Sequence, residues 1–361
     1  MVLNIVIAGA GIVGNSIAYY LTGDYAPAAA SVTLVDPAGS CPAASAKAGG
    51  FLARDWRDRS PMEALQRLGF ALHEELAREL DGSGVDEDGR VVNRQTDYRR
   101  LRCKGAAVDG GILNGTHAAG KFRGARTLEW VDEDVLLATG TLGTEDDIAQ
   151  VHPRKLCQAM WEASAARGVQ LRVGRVARAT TARRPPSTAP RIAAVQLEDG
   201  TTIAADVLLA AMGPWSEELR RWFPPHDDVL LEALALVPPI TGVKSHSMLV
   251  RTPGVLREAV FFESRDDPTL NDLEVYPRPD GDAYVTGSSQ PRETMAERPG
   301  EEAVERRREA ELRDSARRTA PAILGARAPH TVQACYWADA ADGVPVVGPV
   351  PYVDGLYVAT G

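Results

Sequence analysis

The sequence predicts an α/β fold, in which a parallel sheet with a β-meander is combined with a second, antiparallel-sheet region of the α+β type. Three observations predict it. The first residues run strand, glycine turn, helix and strand, which is the order of a βαβ unit. The middle of the chain holds short strand runs separated by turn signals. Residues 241–289 contain further strand-like runs joined by a proline-glycine hairpin turn.

The N-terminal region carries the strongest signal. An apolar run over 5–8 leads into a G-x-G-x-x-G turn, a helical pattern follows, and a second strand, SVTLVDP, ends in an acid. In this Rossmann-like unit the glycines permit a tight turn, close approach of a pyrophosphate, and close packing of helix on strand. The helix N-terminus attracts the diphosphate. The predicted dinucleotide contacts are Gly9, Ala10, Gly11, Ile12, Val13, Gly14, Asp36 and Pro37.

The identity of the dinucleotide is left open by this motif. Asp36 is suited to accept hydrogen bonds from an adenosine ribose and disfavours a 2′-phosphate, but it does not separate FAD from NAD. The alternative interpretation is a glycine-rich turn without a ligand. An NAD dehydrogenase is expected to continue with further βα units, whereas a loop of small residues, ASAKAGGFLARDW, follows the second strand here.

Later elements follow from local signals. Ser60 as N-cap, Pro61 at the first helical position and Glu63 of a capping box predict a helix from residue 61. A second helix is expected after His152, followed by a strand at 171–176. Two more strand runs joined by an Asp-Gly turn complete a meander that leads into a buried strand ending at residues 211–213.

These pieces together resemble the FAD-dependent oxidoreductases of the D-amino-acid oxidase superfamily, which includes glycine oxidase, sarcosine oxidase and dimethylglycine dehydrogenase. The chain is most similar to a eukaryotic branch of oxidoreductases in that superfamily. The resemblance implies FAD as the cofactor. The segments that carry it span residues 4–361 and are GAGIVGNSIAYYL, VTLVDP, ASAKAGGFLARDW, QVHPRKL, VLLAAMGPWS, EVYPRPDGDAYVTG and DGVPVVGPVPYVDGLYVATG.

The resemblance also implies further cofactor contacts. In the family the loop after the second strand runs along the diphosphate to the flavin, a later strand contacts adenine through its backbone, and a strand end closes over the cofactor. The positions of this sequence that match are Ser45, Lys47, Gly49, Gly50, Val176, Ala211, Gly213 and Trp215. The alternative for Trp215 is a core aromatic residue.

Lys47, His246 and Tyr276 are the candidate catalytic residues. A lysine near the flavin is able to stabilise reduced flavin or to activate oxygen, and the alternative is a lysine paired with phosphate or solvent. His246 and Tyr276 lie on strands predicted for the substrate region, where the alternative for each is a packing role. Arg278 belongs to the hairpin turn and is interpreted as structural.

Two positions near the C-terminus concern flavin attachment and substrate recognition. Cys335 matches the position at which sarcosine oxidases attach flavin covalently, although many relatives keep a cysteine there without the bond. Amino-acid oxidases place an arginine just after this position to pair with a substrate carboxylate. This chain has Trp337 and Ala338 instead, so the carboxylate is held elsewhere or the substrate is not a simple amino acid.

The predicted FAD domain is discontinuous, with residues 1–60, 148–230 and 331–361, and the substrate domain comprises 61–147 and 231–330. In the resembled family the strand equivalent to GLYVATG leads into a glycine turn and a last helix below the flavin. Since the sequence stops at Gly361, we expect a truncated C-terminus.

Composition and net charge argue against several classes of binding partner. The 361 residues carry a formal charge of −9, which argues against nucleic acid and anionic membranes as main partners. The sequence has no apolar run long enough to span a membrane, and this favours a cytoplasmic location. The four cysteines are widely spaced and predict reduced thiols rather than a disulfide framework or zinc site, and the histidines show no metal spacing.

The sequence therefore predicts a flavoenzyme that oxidises a C–N bond of a small-molecule amine or N-substituted amino acid by hydride transfer to the flavin. The rival hypothesis is a non-catalytic FAD-binding adaptor that binds protein partners in trafficking or assembly. A third hypothesis is an NAD-linked dehydrogenase.

Overall fold

The structure is a computed structural model of the chain. The residues that it describes are 2–23, 30–108, 128, 130–183, 189–254, 256–264, 270–271, 273–287 and 295–361.

The strands of the described residues are numbered in chain order. They are β1 (Leu3–Ala8), β2 (Ala30–Asp36), β3 (Phe51–Ala53), β4 (Ser83–Val85), β5 (Val91–Asn93), β6 (Arg99–Arg100), β7 (Arg102–Val108), β8 (Leu136–Gly143), β9 (Ile148–Gln150), β10 (Gln170–Val173), β11 (Val176–Ala182), β12 (Arg191–Leu197), β13 (Thr202–Ala204), β14 (Val207–Ala210), β15 (Ile240–Arg251), β16 (Glu258–Glu263), β17 (Glu274–Pro277), β18 (Asp282–Gly287), β19 (Thr331–Ala340), β20 (Val346–Pro349) and β21 (Leu356–Thr360).

The α-helices are α1 (Ile12–Thr22), α2 (Ala44–Lys47), α3 (Glu63–Glu79), α4 (Pro153–Ala166), α5 (Asp228–Ala235) and α6 (Arg306–Thr319), and a 3₁₀ helix spans Gly213–Arg221.

Helix α3 begins two residues later than the capping signal predicts. Ser60 does accept a hydrogen bond from the amide of Met62, at 3.1 Å, but residues up to 62 form turns and the helix starts at Glu63. The Glu63 carboxylate accepts a hydrogen bond from the amide of Arg59 at 2.7 Å instead of closing the box on Ser60. The capping residues are therefore used to hold the turn that precedes the helix.

A six-stranded sheet forms the first layer, in the order β10-β2-β1-β14-β21-β20. All neighbouring strands are parallel except β20, which runs antiparallel to β21 at the edge. The central strands are buried on both faces, which explains why their sequences are almost continuously apolar. Helix α1 covers one face through a core that includes Ile5, Ile7 and Leu34.

The three-stranded antiparallel sheet β11-β12-β13 covers the other face, so the predicted meander is confirmed. Val195 and Leu197 of the meander pack in one core with Val6, Leu208 and Leu356 of the six-stranded sheet. Because β13 leads directly into β14, the meander lies beside the strand that precedes residues 211–213.

A seven-stranded sheet forms the other large layer, in the order β19-β15-β18-β17-β16-β7-β8, and only β16 and β7 are parallel neighbours among the pairs described. Helix α6 packs on one face, with Leu312 and Ala316 against Met248 and Val250. The sheet includes β19, although the sequence assigned residues 331–361 to the cofactor domain.

Within the described ranges, none of the helices combines the length and the apolar character that crossing a bilayer requires.

Candidate cofactor cleft and substrate-facing surface

A cleft opens at the carboxyl ends of β1, β2 and β14, which is where parallel α/β sheets bind ligands. It contains about 1040 Å³ of empty space, including its open mouth. Of the predicted contacts, the following line it: Gly9, Gly11, Ile12, Val13, Asp36, Pro37, Ser45, Val176, Ala211, Gly213 and Trp215. Ala10, Gly14, Lys47, Gly49 and Gly50 are not among its lining residues.

The glycine turn is required by close contacts of the backbone. Gly9 has a φ of +103°, and a Cβ atom there would lie 2.3 Å from the carbonyl oxygen of Ala211. A Cβ atom on Gly14 would lie 1.9 Å from the carbonyl oxygen of Gly9. Gly14 therefore serves the packing of α1 on β1, whereas Gly9 brings the chain close to the end of β14.

The first turn of α1 faces the cleft without a side-chain cap from its N-cap residue, Gly11. The hydroxyl of Ser45 accepts a hydrogen bond from the amide of Ile12, at 2.9 Å. A Cβ atom on Gly11 would lie 3.0 Å from that hydroxyl. The helix start, which attracts anions, is thus kept clear of side chains except for a short hydroxyl.

Asp36 is held at the cleft wall by two backbone amides. One carboxylate oxygen accepts a hydrogen bond from Ala10 at 3.0 Å and the other from Ala38 at 2.9 Å. Burial raises the pKa of this carboxyl above its ordinary value, and the two amide hydrogen bonds oppose the rise. Each oxygen keeps a lone pair that is able to accept from a ribose hydroxyl.

The far end of the cleft is lined by Val176, Trp215 and an ion pair that the sequence analysis missed. Arg175 donates to both carboxylate oxygens of Glu218, at 2.7 and 3.1 Å. The Trp215 indole donates to the carbonyl of Ala296 at 3.0 Å. The sequence does show an arginine directly before Val176, but no residue near it in the chain indicates that Glu218 is its partner.

Lys47 is paired inside the protein. Its ammonium donates to the Glu302 carboxylate at 2.7 Å and to the carbonyl of Ala334 at 2.9 Å, and the Glu302 side chain is fully buried. The amide side chain of Gln333 donates to the carbonyl of Lys47 at 2.9 Å. Lys47 belongs to the segment 37–50 between β2 and β3, which we call the cofactor loop. This loop is therefore attached to β19 through both the backbone and the side chain of Lys47.

Tyr276 lies where the cofactor loop meets the seven-stranded sheet. A Cβ atom on Gly49 would lie 2.3 Å from the Tyr276 ring, so only glycine allows this approach. The phenol donates a hydrogen bond to Glu274 on the same strand. Burial, followed by the charge of Glu274, raises the pKa of Tyr276 well above its ordinary value, so the phenol stays protonated.

Gly50, the second glycine of this loop, is also conformationally required. Its φ is +79°, and a Cβ atom there would lie 1.8 Å from the carbonyl oxygen of Val151. The Gly49-Gly50 pair thus lets the loop pass between Tyr276 on one side and the start of α4 on the other.

His246 lies on the opposite face of the seven-stranded sheet from Tyr276. Tyr276 pairs with Tyr284, which pairs with Leu249, and alternation along β15 turns His246 away from that face. Its imidazole Nε2 accepts a hydrogen bond from the amide of Glu305, just before α6, at 3.1 Å. The structure therefore does not bring His246 together with the other two candidate catalytic residues.

The buried side chain of Arg278 contacts the cofactor loop and residues that pack beside it. Arg278 donates to the carbonyl of Ala48 at 3.4 Å, contacts Nε2 of His152 and lies over the Tyr284 ring, 5.6 Å from its centroid. Burial and the neighbouring Arg278 charge lower the pKa of His152 to about 4. His152 is therefore neutral and accepts from the guanidinium.

The prediction that all four cysteines are reduced is wrong for two of them. Cys41 and Cys157 form a disulfide, with their Cα atoms 6.3 Å apart and a sequence separation of 116. The pairing joins the loop after β2 to α4, two segments whose proximity only the fold creates. Cys103 and Cys335 are free and buried, and burial raises the pKa of the Cys335 thiol to about 11.

These residues fit an adenine dinucleotide with an extended second half. The glycine turn and the start of α1 suit the diphosphate, and Asp36 suits the ribose. The loop from Ser45, which caps the amide of Ile12, to Gly50 leads away from them towards the seven-stranded sheet.

Comparisons with known proteins agree with this geometry. The sequence model of the family described as "FAD dependent oxidoreductase" (DAO) matches residues 4–361. A protein of Schizosaccharomyces pombe named "Putative oxidoreductase C1F5.03c" is 29% identical over 299 residues, which cover 79% of this chain and 70% of that protein.

Solved structures show the same fold. Glycine oxidase from Geobacillus kaustophilus superposes with a TM-score of 0.72 at 20% identity, covering 99% of this chain and 88% of that one. Iminodiacetate oxidase from Chelativorans sp. BNC1 superposes with a TM-score of 0.69 at 20% identity, covering 99% and 89%. The predicted resemblance and the predicted cofactor are confirmed, and this chain belongs to the DAO family of FAD-dependent oxidoreductases.

Proposed function

We propose that this protein oxidises a C–N bond of an amine or of an N-substituted amino acid. The observation that carries the proposal is the contact between Gly49 and Tyr276, where the loop that leaves the dinucleotide cleft reaches one face of the seven-stranded sheet. A flavin that follows this loop would have its reactive ring beside that face. The solved structures with this fold include enzymes named for glycine and for iminodiacetate, both of which contain a C–N bond.

The protein's residues would bind and orient rather than supply a base. A bound flavin would supply the hydride-accepting chemistry that oxidation of a C–N bond requires, and the residues of the chain would hold the carbon next to the substrate nitrogen against it. Tyr276, protonated and held by Glu274, would form part of the wall against which the substrate lies. Lys47 would act mainly on the geometry of the loop, because Glu302 already compensates its charge.

The competing proposal is a non-catalytic FAD-binding adaptor. One observation favours it, namely that the Lys47 ammonium is committed to a buried ion pair. The resemblance adds a second argument, because it implies an arginine where this chain has Trp337 and Ala338. In that case the cofactor would stabilise the fold, and the function would be the binding of protein partners.

Anaerobic reduction of the bound flavin separates the two proposals. The FAD-loaded protein is mixed with a panel of primary, secondary and N-methylated amines and amino acids without oxygen, and the visible flavin absorbance is followed. Bleaching by an amine at a rate that saturates with its concentration supports the enzyme. A flavin that dithionite bleaches but that every compound of the panel leaves oxidised contradicts it.

A further inference from the structure

A surface groove lies between helix α6 and the segment 324–329, on the face of the seven-stranded sheet that α6 covers. It contains about 800 Å³ of empty space, including its open mouth. Met248 of β15 and Leu324 line it from the side of the core, in which both side chains are buried. We call this space the α6 groove.

The α6 groove is separate from the cofactor cleft. Met248 follows His246 by two positions on β15, so strand alternation places both side chains on the same face of the sheet. That face is the one turned away from Tyr276 and the cofactor loop. The described residues that line the groove include none of those that line the cleft.

The shape of the groove depends on a glycine and on short side chains. A Cβ atom on Gly325 would lie 3.0 Å from the Cα atom of Arg317 and 3.0 Å from the carbonyl oxygen of Pro321. The segment 324–329 therefore turns back directly against the end of α6. Alanines at positions 310, 326 and 328 line the groove, and their short side chains leave the space between helix and segment unfilled.

The charges around the groove are mostly positive. The charged residues among its described lining are three arginines, Arg313, Arg317 and Arg327, and one acid, Asp314. Arg313 and Arg317 are one helical turn apart, so they project from the same face of α6. Arg327 belongs to the opposing segment. Both walls thus present guanidinium groups, although the whole chain has a formal charge of −9.

The one acid does not neutralise these arginines. One carboxylate oxygen of Asp314 lies 2.8 Å from the Arg317 guanidinium, and the other lies 2.9 Å from that of Arg318. The carboxylate is thus shared between two arginines of the helix. Arg327 has no ion-pair partner among the residues that the structure describes. The groove therefore keeps an excess of positive charge.

A solvated helix face explains only part of this arrangement. Arg313 pairs with Glu309, 2.7 Å away and one turn earlier, and Arg317 lies in the last turn, where a positive charge stabilises the helix dipole. Neither reason applies to Arg327, which is not on the helix and borders the same space as two like charges. Exposed ion pairs contribute little to stability, so the helix arginines are free to turn towards an anion in the groove.

We propose that the α6 groove binds a phosphate monoester that carries an apolar substituent. A phosphate ester has three terminal oxygens that accept hydrogen bonds from guanidinium groups on both walls, whereas the two oxygens of a carboxylate lie in one plane and match a single arginine. The substituent contacts the apolar base formed by Met248 and Leu324. This site is independent of the oxidation proposed above, because it lies on the other face of the sheet.

Three probe ligands test the chemistry on the FAD-loaded protein. They are phenyl phosphate, inorganic phosphate and benzoate, and each is titrated by calorimetry at low ionic strength and saturating FAD. At about pH 7.5 the ester carries two charges, since its second pKa is near 6. We expect phenyl phosphate to bind at least about threefold more tightly than inorganic phosphate, through apolar contact, and about fivefold more tightly than benzoate, through charge and geometry.

Variants locate the binding site of phenyl phosphate. Arg327→Gln and Arg313→Gln, one on each wall, are expected to weaken binding about five- to thirtyfold, because each removes a charge-assisted hydrogen bond. Arg307→Gln is the matched control, since Arg307 is also on α6 but is 84% exposed, pairs with Glu311 and does not line the groove. It removes the same charge and should change the affinity less than about twofold. Circular dichroism and FAD content verify that each variant is folded.

Each outcome decides the proposal. Tight binding of phenyl phosphate that both groove variants weaken and Arg307→Gln leaves unchanged supports it. The proposal is overturned if phenyl phosphate does not bind at millimolar concentration, if benzoate or inorganic phosphate binds equally well, or if the three arginine variants have equal effects. Bleaching of the flavin by amines bears on the oxidoreductase proposal alone, so either proposal is able to fail without the other.

Discussion

The buried ion pair between Lys47 and Glu302 provides the most direct test of how the cofactor loop is held. The perturbation is a double-mutant cycle built from Lys47→Met, Glu302→Gln and the combined variant. Methionine keeps the length of the lysine side chain and glutamine keeps the shape of the carboxylate. The cycle therefore removes charge while it leaves packing nearly unchanged.

The expected losses of stability follow from how deeply the Lys47 ammonium and the Glu302 carboxylate are buried. The Glu302 side chain is fully buried, so Lys47→Met leaves a buried carboxylate whose remaining hydrogen bond among the described residues comes from the amide of Gly300, 3.1 Å away. We expect a loss of about 3–5 kcal/mol in the free energy of unfolding. In Glu302→Gln the ammonium is 15% exposed and keeps the carbonyl of Ala334, so a smaller loss of about 2–3 kcal/mol is expected.

The double variant should be less destabilised than the sum of the two single variants, with a coupling of about 2 kcal/mol. Urea unfolding at saturating FAD, followed by tryptophan fluorescence, measures each value. Arg307→Gln is the control, because Arg307 pairs with Glu311 on α6 while 84% exposed and should lose no more than about 0.5 kcal/mol. Single losses below about 1 kcal/mol that simply add would refute the reasoning.

Three further predictions concern the cleft and its surroundings. Gly9→Ala forces a side chain against the Ala211 carbonyl at a φ of +103°, so we expect protein that is purified without FAD and is destabilised by at least about 2 kcal/mol; a yellow protein of parental stability would contradict this. Because the pKa of His152 is about 4 in the folded state and near 6.5 when unfolded, its contribution to stability is present above pH 6.5 and is lost as the pH falls towards 4; His152→Gln should flatten the unfolding free energy over that range, and an unchanged pH profile would exclude the effect. Reduction of the Cys41–Cys157 disulfide, which closes a loop of 116 positions, should lower the unfolding free energy by up to about 5 kcal/mol in denaturant titrations, whereas a Cys157→Ser variant should be insensitive to the reductant.

Local sequence patterns predicted the elements whose geometry depends on neighbours in the chain. The turn at Gly9 and Gly11, the acid at the end of β2 and the meander before β14 all follow from residue types at fixed short spacings, and the structure has them in those places. The cofactor follows from the order of these elements along the chain.

Contacts between distant segments were not predictable in this way. Glu302 lies in a polar stretch, and nothing near it indicates that its side chain is buried against Lys47. The Cys41–Cys157 disulfide likewise joins segments that are distant in sequence, so neither cysteine indicates its partner. His246 is a different case. Strand alternation alone could have placed its side chain on one face of β15. The sequence does not show which face meets the cofactor loop, because that depends on how the two sheets pack.

The attachment of the loop between β2 and β3 bears on how quickly the dinucleotide is exchanged. One end of this loop is joined to α4 by Cys41, and the other is tied to β19 by Lys47 and the Gln333 amide. Ser45, between these points, lies directly over the start of α1. A loop held at both ends moves aside only when an attachment breaks, so FAD should dissociate slowly and behave as a resident group rather than as a substrate that comes and goes.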